Sequence, residues 1–126
     1  MKYLGIDYGE SKVGLSLGDS ESGLAFPYKI IKNNGWHNLS QEIAEILEKE
    51  NIGKIVIGLP LNLYSKRSKQ TMAVKKFADD LAEETEKEIA LHDERFTSQQ
   101  AQKMGSGSRD DDVAAMIMLQ SYLDKV

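Results

Sequence analysis

The hydrophobic period of this chain turns from that of strands to that of a helix near residue 33, and that change constrains the fold more than any other feature. Residues 2–8 carry Tyr3, Leu4 and Ile6 with little charge and read as a largely buried strand. Residues 12–18 set Val13, Leu15 and Leu17 against Gly14, Ser16 and Gly18, which is the two-residue period of a strand. Residues 24–32 give a third strand, in which Pro27 marks an edge position or a bulge. Turns at 9–11 and 19–23 join the three into an antiparallel meander. From Trp36 to Glu50 the period becomes helical, through Leu39, Ile43, Ile46 and Leu47. Asn51, Ile52 and Gly53 read as the helix stop.

The second half alternates. Lys54–Gly58 is a short β-branched run of the kind buried on both faces. A loop at 59–62 leads to a long helix from Ser68 to Lys87, with Met72, Val74, Phe77, Ala78 and Leu81 on its apolar side. Ile89–His92 is the fifth strand. Thr97 or Ser98 caps a short helix running to Met104, with Gln99 or Gln100 near its first turn. The final helix begins at Asp110 or Asp111 and runs through Leu123. The order is β-β-β-α-β-α-β-α with one short extra helix. It predicts an α/β fold: a five-stranded mixed sheet flanked by helices, whose later strands are parallel.

Length and composition bound the function classes. The 126 residues suit a single domain spanning 1–126 that buries roughly two-thirds of its unfolded surface. No apolar run approaches the ~20 residues of a membrane span, and no basic start precedes an apolar stretch as in a signal peptide. The expectation is a cytoplasmic protein with no membrane partner. Cysteine is absent, which excludes disulfides and thiolate zinc sites. The formal net charge of −4 is awkward for a nucleic-acid partner, but carboxylates gathered at a metal site would be neutralised there.

Carboxylates at element ends carry the chemistry. Asp7 ends the first strand, in MKYLGIDYG, between Gly5 and Gly9. A strand end of an α/β sheet faces the crevice where ligands bind, and a carboxylate in such an apolar setting is costly unless paired or metal-bound. Glu94 follows the fifth strand; it or Asp93 points into such a site, because neighbouring side chains on a strand face opposite ways. Asp110, Asp111 and Asp112 head the last helix, where they also complement its dipole. Three acidic stations far apart in sequence suggest one site for a hard divalent cation, Mg²⁺ or Mn²⁺. A carboxylate-held metal pair hydrolyses phosphodiesters without a cysteine or serine nucleophile.

The basic residues fit the same substrate. Lys12 and Arg95 are candidates to stabilise phosphate charge, although Arg95 equally suits a nearby carboxylate. Thr97 and Ser98 either cap their helix or hydrogen-bond phosphate oxygens, with capping the simpler role. Lys66, Arg67, Lys69, Lys75 and Lys76, beside Tyr64, form the densest basic region and suit either a nucleic-acid backbone or a solvated helix face. His37 and His92 are too isolated for a zinc site. Tyr3, Tyr8, Phe26, Trp36 and Phe77 read as core. Gly105-Ser106-Gly107-Ser108 has the composition of a flexible linker, either a natural mobile loop or a replacement for a longer one.

Four segments in order, GIDYGESKVGLSLGD, VIGLPLN, HDERFTS and DDVAAMIMLQSYLD, resemble the YqgF/RuvX family across almost the whole chain. The resemblance implies an RNase H-like fold of the RuvC type. It also implies a metal-dependent nuclease acting in 5′-end maturation of 16S ribosomal RNA. It places acidic site residues at Asp7, Glu94 and Asp111, with Asp112 as the fallback. It sets Lys12, Arg95, Thr97 and Ser98 near the site and Pro60, Leu61 and Asn62 on its rim. In the implied mechanism Asp7 bridges two Mg²⁺ or Mn²⁺ ions, and Glu94 and Asp111 each complete one shell.

The implied partners are a ribosomal RNA precursor, with ribosomal particles, or branched DNA. A monomer or weak homodimer is expected. A Holliday junction resolvase would need a symmetric dimer. A binding module without catalysis is a third reading, and the first hairpin also looks like the phosphate hairpin of actin-like and sugar-kinase ATPases. One departure stands out. Similar proteins carry a longer basic segment where this chain has Lys103 to Arg109, which bears on substrate affinity more than on metal chemistry.

Overall fold

The computed structural model describes residues 1–60, 69–93 and 111–126. Five strands and three helices lie within them: β1 (Lys2–Tyr8), β2 (Lys12–Asp19), β3 (Leu24–Lys32), α1 (Trp36–Lys49), β4 (Ile52–Leu59), α2 (Lys69–Thr85), β5 (Glu88–Asp93) and α3 (Asp111–Leu123). The expected short helix near 97–104 falls outside the described residues. One sheet holds all five strands in the order β3-β2-β1-β4-β5. The meander β1-β2-β3 is antiparallel, and β4 and β5 run parallel to β1. β1 is therefore central, and its carboxyl end lies at the same sheet edge as those of β4 and β5.

The two faces differ in the size of their side chains. On one face Leu4, Ile6, Val13, Leu15, Ile55 and Ile57 meet α1 and α2 in the larger core. At roughly 1.5–3 kcal/mol per fully buried large aliphatic side chain, this layer dominates the hydrophobic stabilisation. On the other face Gly5, Gly14, Ser16 and Gly18 leave a shallow floor, and α3 descends onto it. A Cβ at Gly5 would stand 2.9 Å from Leu119 Cβ, and one at Gly18 would stand 2.9 Å from both Leu119 and Leu123. Tyr3, Val56, Met118, Leu119 and Leu123 complete this second core.

Polar contacts fix α3 on that floor. The buried Ser16 hydroxyl donates to the Ala115 carbonyl at 2.9 Å. Gln120 accepts from the Ala25 amide at 2.9 Å and donates to the Gly23 carbonyl at 2.7 Å. His92 Nε2 and Ser121 Oγ lie 3.0 Å apart, linking β5 to the helix. Burial holds the His92 imidazole below its ordinary pKa; the Lys125 charge adds to this and Asp93 opposes it.

Three sequence expectations are corrected. Of the stop read at 51–53, Asn51 alone takes a left-handed turn, with φ 54°; β4 starts at once, so Ile52 and Gly53 belong to the strand. Met72 is 63% exposed, and the buried position beside it is Thr71, whose hydroxyl donates to the Pro60 carbonyl. Phe26 is 60% exposed, because β3 is an edge strand that α1 and α2 leave partly uncovered. Pro27 does sit on that edge strand, beside a register shift at Leu15/Ser16.

Candidate nuclease site

The site is built around Asp7. The β1–β2 register places Asp7 directly across from Gly14, and Gly5 across from Ser16. Strand alternation puts Asp7 on the α3 face, in line with Tyr3 and Gly5. Asp111, the first residue of α3, rests on Gly14. A Cβ added there would overlap the Asp111 carbonyl and stand 2.9 Å from the Asp111 Cβ. Gly14 thus has one half-buried aspartate across the ladder, Asp7, and another above it, Asp111, at the carboxyl edge of the sheet.

Asp112 has a local task. Its Oδ1 accepts from the Val113 amide at 2.9 Å, which satisfies one of the amides that a helix N-terminus leaves open. Asp111, by contrast, is the residue that stands over Gly14. Lys12 opens β2 on the α3 face, two residues before Gly14, and is exposed.

The other site expectations fall on residues beyond those described: Glu94, Arg95, Thr97, Ser98, Asn62, Lys66 and Arg67. The described part of the basic cluster lies on α2, which packs on the face opposite α3. Lys76 there pairs with Asp80 at 3.1 Å, as a solvated helix face would. Among the described residues no group of three or more His, Cys, Asp or Glu side chains is placed to hold a metal. The described part of the candidate site is two aspartates, Asp7 and Asp111.

Beside the site the aromatic residues pack on one another. Tyr8 stacks on Phe77 with ring centroids 4.4 Å apart, and Trp36 meets Phe77 edge-on at 5.9 Å. Sequence reasoning missed the role of Gly14. The signal was there: small residues alternating with large ones mark a floor that another element approaches closely, as well as a strand.

Comparison with known proteins agrees with this architecture. The family model for RuvX, described as Holliday junction resolvase, matches residues 1–125. A relative from Maridesulfovibrio salexigens, named "Putative pre-16S rRNA nuclease", is 41% identical over 98 residues, covering 78% of this chain and 73% of its own. One of the same name from Clostridium tetani is 37% identical over 135 residues, covering 100% of this chain and 98% of its own. Among solved structures, Thermus thermophilus RuvC in complex with a Holliday junction substrate superposes with a TM-score of 0.66 at 14% identity, covering 99% of this chain and 95% of that one. The fold is the RNase H-like fold of the RuvC resolvases, and the chain belongs to the RuvX family.

Proposed function

We propose that this protein is a divalent-metal-dependent nuclease that hydrolyses phosphodiester bonds in the 5′-end maturation of 16S ribosomal RNA. One observation carries the reading: Asp111 seated on Gly14, directly across the ladder from Asp7. The family membership and the names of the relatives support the substrate.

The donor chemistry fits a hard cation such as Mg²⁺ or Mn²⁺, since the ligands are carboxylates and the chain has no thiolate to offer. Asp7 and Asp111 would hold it, together with Glu94, which follows Asp93 of β5 in sequence. A bound cation of this kind supplies an activated water and neutralises charge at the leaving oxygen. The protein's own residues do the rest. The central strand and the seated helix hold the two aspartates on rigid elements, so little reorganisation accompanies reaction. Lys12, exposed on the same face, offers a cation to the substrate phosphate, and Arg95, Thr97 and Ser98 are the further phosphate contacts of this reading.

The test is cleavage of labelled precursor 16S RNA and of a four-way DNA junction, side by side, in Mn²⁺ or Mg²⁺, with Asp7→Asn and Asp111→Asn as controls. RNA cleavage that both substitutions abolish is the expected result. Cleavage of the junction alone would replace the RNA substrate with branched DNA. Cleavage that survives Asp7→Asn would sink the site.

A further inference from the structure

One residue pair outward from Gly14, Lys12 of β2 stands directly opposite Lys32 of β3. Alternation sets Lys12 on the face of Gly14, Ser16 and Gly18, and its cross-strand partner shares that face. The intervening pair, Val13 and Ile31, turns into the opposite core. Both lysines are exposed, and among the described residues no carboxylate pairs with either side chain.

Like charges directly opposite on neighbouring strands destabilise a ladder. A lysine on the edge strand β3 has one ready explanation, since charge there discourages pairing with another sheet. That explanation does not extend to Lys12, because β2 is an interior strand. The backbone under the pair is also pinned to the site. The Asn33 amide donates to the Ser11 carbonyl at 2.9 Å, and Asn33 Nδ2 donates to the Gly9 carbonyl at 2.9 Å. The end of β3 is thereby tied to the turn that follows Asp7. Two interstrand spacings of about 4.8 Å separate β1 from β3, so Lys32 stands on the order of 10 Å from the aspartates.

We infer that Lys12 and Lys32 together form a two-strand cationic seat for the phosphate backbone of the bound RNA strand, flanking the bond at Asp7 and Asp111. Lys32 thereby extends the phosphate contact beyond what Lys12 offers alone and sets the side of the site from which the strand enters. The inference rests on the nuclease reading for its substrate, but its test does not depend on cleavage.

The experiment is fluorescence anisotropy of a labelled single-stranded RNA in EDTA, titrated with the full chain at several salt concentrations. The variants are Lys12→Gln, Lys32→Gln and the double substitution, with Lys49→Gln, exposed at the far end of α1, as the comparison. Removing one lysine from the phosphate backbone should lower the slope of log affinity against log salt by about 0.7, and the double variant by about twice that. Lys49→Gln should leave the slope alone. Thermal melting completes the test: Lys32→Gln should melt at or above the parent temperature, since it relieves a repulsion. A slope for Lys32→Gln equal to that of Lys49→Gln overturns the seat, as does a parent protein that fails to bind the RNA at low salt. Slopes that fall as expected without metal-dependent cleavage would keep the seat and overturn the nuclease reading instead.

Discussion

Asp111 rests on Gly14 so closely that the glycine has no room for a methyl group, and the atoms in the way belong mainly to backbone. The neighbour cannot yield by turning a side chain. Gly14→Ala should therefore push the start of α3 off the sheet. Overpacking of this kind costs roughly 1–3 kcal/mol. Cleavage should fall further than stability does, because a shift of about 1 Å in a catalytic group can cost on the order of 100-fold in rate. Melting temperature and single-turnover cleavage, measured on the same preparation, check this. Full activity in a folded Gly14→Ala protein would show that Asp111 does not depend on this seat.

The Ser16 hydroxyl is the next constraint on α3. It is fully buried and bonded to the Ala115 carbonyl. Ser16→Ala removes one buried hydrogen bond and should cost about 1 kcal/mol. Ser16→Val adds bulk at a fully buried position whose hydroxyl already lies close against Gly5, and should cost more than Ser16→Ala. Chemical denaturation of the two variants checks the order. The reverse order would mean that the floor has slack.

These two positions also mark how far the sequence was legible. Alternation in residues 2–32 and the helical spacing after Trp36 gave the strands and helices nearly at their observed bounds, because long periodic segments reflect burial directly. The pattern also separated Val13, Leu15 and Leu17 from Gly14, Ser16 and Gly18. What it did not reveal is that the small residues are buried too. A glycine face looks the same in sequence whether it meets water or a helix. Thr71 escaped for a related reason: it is a polar residue at a core position, made tolerable by its bond to Pro60, and hydropathy assigned the place to Met72. Of the acidic set, Asp7 and Asp111 each adjoin Gly14, whereas Glu94 lies outside the described residues. The small-residue alternation marks Gly14 as a place another element can approach, but that this element is the start of α3 follows only from the fold.

His92 gives stability a pH dependence of fixed sign. Burial, reinforced by Lys125, lowers its pKa in the folded state, so the unfolded chain binds more protons between the folded value and the ordinary value of about 6.5. Its contribution is whole above about pH 6.5 and is lost as pH falls below that, through the folded pKa. Protonation also leaves Nε2 able only to donate at the Ser121 contact. Urea midpoints of the parent and His92→Gln should converge toward acid pH and separate above neutrality. Parallel midpoints across the whole range would remove His92 as the source.

Gln120 offers the converse of Gly14. Its side chain bonds the Ala25 amide and the Gly23 carbonyl and also reaches Asp124 Oδ1 at 2.9 Å, clipping the C-terminal half of α3 to the β2–β3 turn. Gln120→Ala leaves the partly buried Ala25 amide and Gly23 carbonyl without this partner, which should cost roughly 1–3 kcal/mol. The lesion lies nine residues along the helix from Asp111, about 13 Å at 1.5 Å per residue. Ser16 and Gly14 still seat the helix start, so cleavage per folded molecule should stay within about twofold of the parent. Active-site titration combined with the melting curve separates the two effects. If the turnover of folded Gln120→Ala protein fell as far as that of Gly14→Ala, α3 would have to move as a single rigid rod, and the local seat at Gly14 would not be what holds Asp111 beside Asp7.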